Sequence, residues 1–241
     1  MGLKHSPEAT FHQASRADCL HRWYSAAQGL RVQGALRRQL QTFRRPRFSD
    51  VWLEVGPLAL LRSEWTSPAQ TLHVDPQSQT LRAQADFLPL AAETFSCVLL
   101  AHALGDVEGV EAIVAEAVRV LAPEGHLFLL ESGHCRSSGR WSVRSAVPLG
   151  LRRRRLRRLL EAAGLGVRGQ FALTVLPAAL PDSWHRRLGR FDEAVSPWLP
   201  LLGTCVLTVA RRRDLIPIAP TAVRPRWSRA GVRAGGTSQW A

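Results

Sequence analysis

The sequence predicts an α/β protein built on a doubly wound, mostly parallel sheet. Three observations carry this. Apolar runs with strand character alternate with runs that step by three and four residues. One of the apolar runs, Cys97–Leu100, has no polar alternation, as expected of a strand covered on both faces. The stretch VWLEVGPLALLRSEWTSPAQTLHVD at 51–75 places a glycine after one apolar run and an acid nineteen residues later, after a second run. In a βαβ unit that spacing suits a nucleoside: the glycine allows close backbone approach, and the acid accepts bonds from ribose hydroxyls.

The elements follow in order. Leu20, Trp23, Tyr24, Ala27, Leu30, Leu36, Leu40 and Phe43 fall mostly on one helical stripe, interrupted near Gly29 and Gly34, and Arg45-Pro46 ends it. This reads as one helix, or two in series, over 17–43. Val51–Val55 is the first strand. Leu58–Trp65 reads as a short helix broken by Thr66-Ser67-Pro68. Thr71–Val74 is the second strand, Leu81–Ala85 the third and Cys97–Leu100 the fourth. Val107, Val110, Ile113, Val114, Ala117, Val118 and Leu121 form the clearest amphipathic helix. Ala122-Pro123-Glu124-Gly125 stops it, and His126–Leu130 is the fifth strand. Residues 132–150 read as a loop. Leu151–Ala163 is a helix with leucines on one face and Arg152–Arg158 on the other, capped by Gly164. Val167–Leu176 and Thr204–Ala210 are strands six and seven, an antiparallel pair at the sheet edge. The sheet is therefore expected to hold seven strands over 48–212, after an N-terminal helical extension at 1–47. A tail at 213–241, rich in Pro, Arg and Gly, is expected to be extended or poorly ordered.

Charge is unevenly spread over the 241 residues. The net +13 lies wholly in residues 141–241, which hold 18 arginines against 5 acids. Such asymmetry admits an anionic partner, and an arginine-rich helix face is as readily a solvated surface. No RRM, KH or zinc-finger signature accompanies it. Cys19, Cys97, Cys135 and Cys205 show no C-x-x-C spacing, so no zinc knuckle or redox pair is expected, and no metal. MGLKHSPEAT lacks an apolar signal core, and the longest apolar stretch, 198–210, is too short to span a bilayer. A soluble, cytoplasmic protein with reduced thiols is the expectation.

Four phrases together, VWLEVGP, LHVDP, AQADFLPLAAETFSCVLLAHAL and EAVRVLAPEGHLFLLE, resemble the class I S-adenosylmethionine-dependent methyltransferases, and most the small-molecule kind called methyltransferase type 11. The likeness spans about residues 48–131. The ending LIPIAPTAVRPRW is similar to that of a bacterial subgroup. The resemblance implies a Rossmann-like domain that binds S-adenosylmethionine. It places Glu54 and Gly56 at the methionine part of the cofactor, Asp75 on the ribose, Asp86 and Phe87 beside adenine, and His102 with Ala103 where the methyl moves, His102 being the candidate general base. The acceptor implied is a small molecule. In the family the first turn reads roughly E-x-G-x-G-x-G. Here it is Glu54-Val55-Gly56-Pro57-Leu58-Ala59-Leu60, with one glycine of the set.

Plainer readings stand beside these. Asp75-Pro76 suits a helix N-cap, and His102 suits a buried, hydrogen-bonded core histidine. The depleted glycine turn suits a non-catalytic partner or regulatory subunit on the same scaffold. Arg152–Arg158 suits contact with RNA or an anionic membrane surface.

Overall fold

The computed structural model describes residues 17–43, 51–61, 70–75, 81–104, 109–133, 149–176, 181–195, 198–199 and 203–213. Its centre is a six-stranded sheet: β1 (Val51–Val55), β2 (Gln70–Val74), β3 (Phe95–Ala101), β4 (Leu121–Ser132), β5 (Leu165–Ala172) and β6 (Cys205–Arg212). Their spatial order is β2-β1-β3-β4-β6-β5. The first four run parallel, and β6 is antiparallel to both β4 and β5. The order reverses between β1 and β3, the switch point at which doubly wound sheets receive ligands.

Among the described residues the sheet holds six strands where seven were expected. The segment expected as strand three contributes a single parallel bridge, Val74 to Leu81, and then turns back through Gln84 and Phe87. Exposed Arg82, Gln84 and Asp86 give it little apolar face to commit to a ladder. The turn expected at 122–125 sits inside β4. Phe95 pairs with Leu121 and Cys97 with His126, so the register jumps across those four residues, and Glu124 adopts φ 61.

Helices cover the two faces unequally. The first extends over 17–25 (α1), bends at Ala26 and continues as α2 (Ala27–Phe43). Leu20, Tyr24, Val32, Leu36 and Leu40 pack from α1 and α2 onto Trp52, Leu99, Phe128 and Leu207. On the opposite face α3 (Val110–Val120) and α4 (Leu149–Ala162) lay Val114, Ala117, Val120 and Leu160 over Leu53, Val98, Leu100, Leu127 and Leu129. Gly164, at φ 81, ends α4 as the C-cap glycine expected.

The remaining helix, α5 (Asp182–Val195), was not anticipated. Pro181 stands just before its first turn, where proline is tolerated. Leu58–Leu61, expected to open a helix, are not helical, and 62–65 lie outside the described residues. So do most of the expected 132–150 loop and all of the tail beyond Arg213. Among the described residues, no helix is long and apolar enough to cross a membrane.

Candidate functional site

The parallel strands end together along one edge, and the sequence-marked residues sit there. Gly56 follows β1, Asp75 follows β2 and His102 follows β3. The Gly56 amide donates to the Val74 carbonyl at 3.1 Å, which joins the tips of β1 and β2. Gly56 adopts φ 145, and a Cβ there would lie 2.0 Å from the Ala101 carbonyl oxygen. The close approach that demands glycine is thus to the neighbouring strand.

Glu54 is fully buried, and both its oxygens are used. Oε1 accepts the Leu60 amide at 2.7 Å and Oε2 the Leu61 amide at 2.8 Å. The carboxylate therefore shapes the turn after β1 from below. Burial pushes its pKa up to about 7, against the pull of the two amides. Within this turn Leu58, Leu60 and Leu61 enter the core beneath α1 and α2, and only Ala59 faces solvent. The side chains that replace the family's later glycines are accommodated as core.

Asp75 is partly exposed at the tip of β2, and its amide donates to the Leu81 carbonyl at 3.3 Å. His73, two residues earlier, places Nε2 3.0 Å from the Gly56 carbonyl oxygen. Asp86 and Phe87 lie in the 84–87 turn, exposed, with Phe87 at 76%. A clamp that sequence reading missed holds this turn. Glu116 Oε1 accepts the Leu88 amide at 2.7 Å, and Arg119 Nη2 donates to the Leu88 carbonyl at 3.0 Å. The Arg119 guanidinium beside Glu116 keeps its carboxyl below the usual range. The only signal was an acid and an arginine three apart on the polar side of the clearest helix.

His102 is buried with φ 54, a left-handed conformation uncommon outside glycine. Its amide donates to the Leu130 carbonyl at 2.9 Å. Its Nε2 lies 2.7 Å from the Tyr24 hydroxyl, which also lies 3.9 Å from Cys205 Sγ. Burial, the first cause in both, holds the Tyr24 hydroxyl well above its ordinary pKa and pushes the Cys205 thiol up to about 12. The structure thus ties α1 to the end of β3 through a polar bond inside the core. In sequence, Tyr24 was legible only as a core position.

The arginine helix is partly neutralised. Arg155 pairs with Glu111 at 3.1 Å and Arg157 with Glu161 at 2.9 Å.

Residues 61–129 match the family model described as a methyltransferase domain. The matched segment begins after the altered glycine turn. No curated protein sequence matches the chain. Among solved structures, a methyltransferase dependent on S-adenosylmethionine from Aquifex aeolicus is 13% identical, with 82% of this chain and 98% of that one covered at a TM-score of 0.52. Another from Mesorhizobium loti is 15% identical, covering 74% and 98% at a TM-score of 0.50. The fold is that of the class I methyltransferases. Residues 61–129 are thus similar to a methyltransferase domain and lie within that fold.

Proposed function

We propose that this protein transfers the methyl group of S-adenosylmethionine to a small-molecule acceptor. The observation that supports the reading is that Gly56, Asp75 and His102 follow the ends of the parallel strands β1, β2 and β3, beside the switch point between β1 and β3. The residues present fit the cofactor. Asp75 is accessible, and a carboxylate accepts two hydroxyls of a vicinal diol with charge-assisted bonds. The Asp86 carboxylate accepts from the adenine amine, and Phe87 offers an exposed ring for the adenine face. Glu54 serves indirectly, by fixing the turn whose backbone meets the methionine end.

The cofactor, when bound, supplies an electrophilic methyl on a sulfonium. The chain's own task is to orient the acceptor and exclude water. An oxygen acceptor or a protonated amine must also lose a proton. His102 takes it in this reading, with Tyr24 holding the ring in place. The protein works in this reading without a metal, in the cytoplasm.

The turn after β1 favours a second reading. With Glu54 occupied by amides and Leu58 buried, the scaffold could persist as a non-catalytic partner subunit. Calorimetric titration of the folded protein with S-adenosylmethionine separates the two. Saturable heat is expected, and a flat titration at millimolar ligand defeats the enzyme. An RNA-directed variant of the reaction is less favoured, because acids of α3 and α4 already pair with Arg155 and Arg157.

A further inference from the structure

Helix α4 holds six arginines and one glutamate. Arg154, Arg155, Arg157 and Arg158 are exposed, as a solvated face requires. Arg153 is half-buried. It stands three and seven residues before Leu156 and Leu160, on the stripe that packs onto the core beneath α3 and α4. Its Nε and Nη2 are shielded from solvent and have no hydrogen-bond partner among the described residues. These two atoms form one edge of the guanidinium, the fork that meets a carboxylate or phosphate with two parallel bonds. Arg119 uses the same edge in this protein. Its Nε donates to Glu116 Oε2 at 2.8 Å and its Nη2 to Glu116 Oε1 at 2.7 Å.

An arginine keeps its charge at any ordinary pH. Shielding the fork therefore leaves charge without hydration or a partner, and that loss of hydration lowers the Arg153 pKa. Burying an unpaired charge is costly, and an apolar stem alone does not require it. The stem can lie on apolar surface while the head reaches water. An oxyanion held by the fork offsets the cost, and the other arginines of α4 favour its approach.

The fork lies at the edge that carries Gly56, Asp75 and His102. Arg155 meets Glu111 in the first turn of α3, the helix that follows β3. At its other end α4 passes through Gly164 into β5, whose first residue pairs with Arg212 at the end of β6. α4 therefore runs from the carboxyl edge of the parallel strands toward the amino edge, and Arg153 is its fifth residue. β5, on which α4 packs, and β2, which bears Asp75, are opposite edges of the sheet. Arg153 is thus set away from Asp75, on the side left for the acceptor when the ribose sits at β2.

We propose that the Arg153 fork binds a carboxylate or phosphate group of the methyl acceptor. That an oxyanion binds there is independent of methyl transfer; that it belongs to the acceptor rests on that reading. Thermal melts of the full chain at fixed ionic strength test the site, in chloride and with inorganic phosphate in its place. Phosphate should raise the wild-type midpoint by about 3 °C or more over chloride. R153M keeps an apolar stem and removes the charge. It should melt no lower than wild type in chloride and lose most of the phosphate shift. R153K, which keeps a charge without the fork, should lose most of the shift as well. R154Q, on the exposed side, should behave as wild type. No phosphate shift in wild type, or an equal shift in R153M and R153K, would assign any response to general surface charge and overturn the site. So would an R153M melt far below wild type in chloride, since the guanidinium would then be satisfied within the fold. Titration with S-adenosylmethionine assigns the anion. Equal affinity in wild type and R153M leaves it to the acceptor. A loss of roughly tenfold or more in R153M would place the cofactor's own carboxylate on the fork and overturn the acceptor assignment. A wild type that shows the phosphate shift without binding S-adenosylmethionine would defeat methyl transfer, and with it the acceptor assignment, and keep the anion site.

Discussion

Glu54 places a carboxyl in the core and gives both oxygens to main-chain amides. Its pKa rises from 4.5 to about 7, so the folded state keeps a proton that the unfolded chain releases. Below pH 4.5 both states hold the proton and the group adds no pH dependence. Between 4.5 and 7 the unfolded state is favoured progressively, and above 7 the loss is complete, at about 3 kcal/mol. Urea denaturation should therefore show the stability advantage of wild type over Glu54→Gln shrinking by about 3 kcal/mol between pH 4 and 8. An advantage that stays constant with pH would mean that Glu54 titrates alike in the folded and unfolded states. Gly56→Ala tests the strand tips. The added carbon meets the Ala101 carbonyl at a backbone angle that side chains avoid, and we expect a loss of about 3 kcal/mol or more in the same measurement. Asp75→Ala should spare stability and weaken S-adenosylmethionine binding by about 2–4 kcal/mol in calorimetry, through two lost charge-assisted bonds. Unchanged affinity would remove Asp75 from the ribose. These positions were visible in sequence because glycine and acid spacing is local. The partners that explain them were not. Ala101, Leu60 and Tyr24 reach the site only through the fold.

Among the elements, legibility followed periodicity. β1 matches its sequence bounds at both ends, β3 extends its run by two residues at the start and one at the end, and α3 carries the clearest stripe. α5 escaped although Trp184, Leu188, Phe191 and Val195 fall at helical intervals. The bend between α1 and α2 was visible only as a weak point near Gly29, and the structure gives that glycine a reason. A Cβ on Gly29 would lie 2.3 Å from Tyr24 Cα and 2.4 Å from the Trp23 carbonyl oxygen. The bend folds α1 back against α2 at this contact and thereby sets Tyr24 on His102. Gly29→Ala should cost about 1–3 kcal/mol by overpacking. It should also shift the His102 ring resonances in a nitrogen-proton correlation spectrum. Tyr24→Phe, which leaves the bend alone, should shift those resonances with a smaller stability loss of about 1 kcal/mol. Identical His102 resonances in all three proteins would mean that α1 does not hold the ring.

At the scale of the molecule, the sheet has two cores, and the helices before β1 supply most of the helical cover for one of them. Residues 17–43 read in sequence as an extension ahead of the domain. In the structure Leu20, Val32, Leu36 and Leu40 form one core with Trp52, Leu99, Phe128 and Leu207, while α3 and α4 serve only the opposite face. A sheet stripped of one layer exposes a continuous apolar surface, which isolated domains do not tolerate. Four buried leucine or valine side chains at about 1.5–3 kcal/mol each amount to roughly 6–12 kcal/mol, which is comparable to the whole stability of a domain, about 5–15 kcal/mol. A chain beginning at residue 44 should therefore lose its cooperative thermal transition and aggregate, even though it retains residues 61–129 and every sequence-marked site residue. Circular dichroism melts and size-exclusion chromatography of the shortened and full chains decide the matter. A shortened chain that melts cooperatively as a monomer would return the helices to the status of an appendage. It would also place the Tyr24–His102 bond outside what the fold requires.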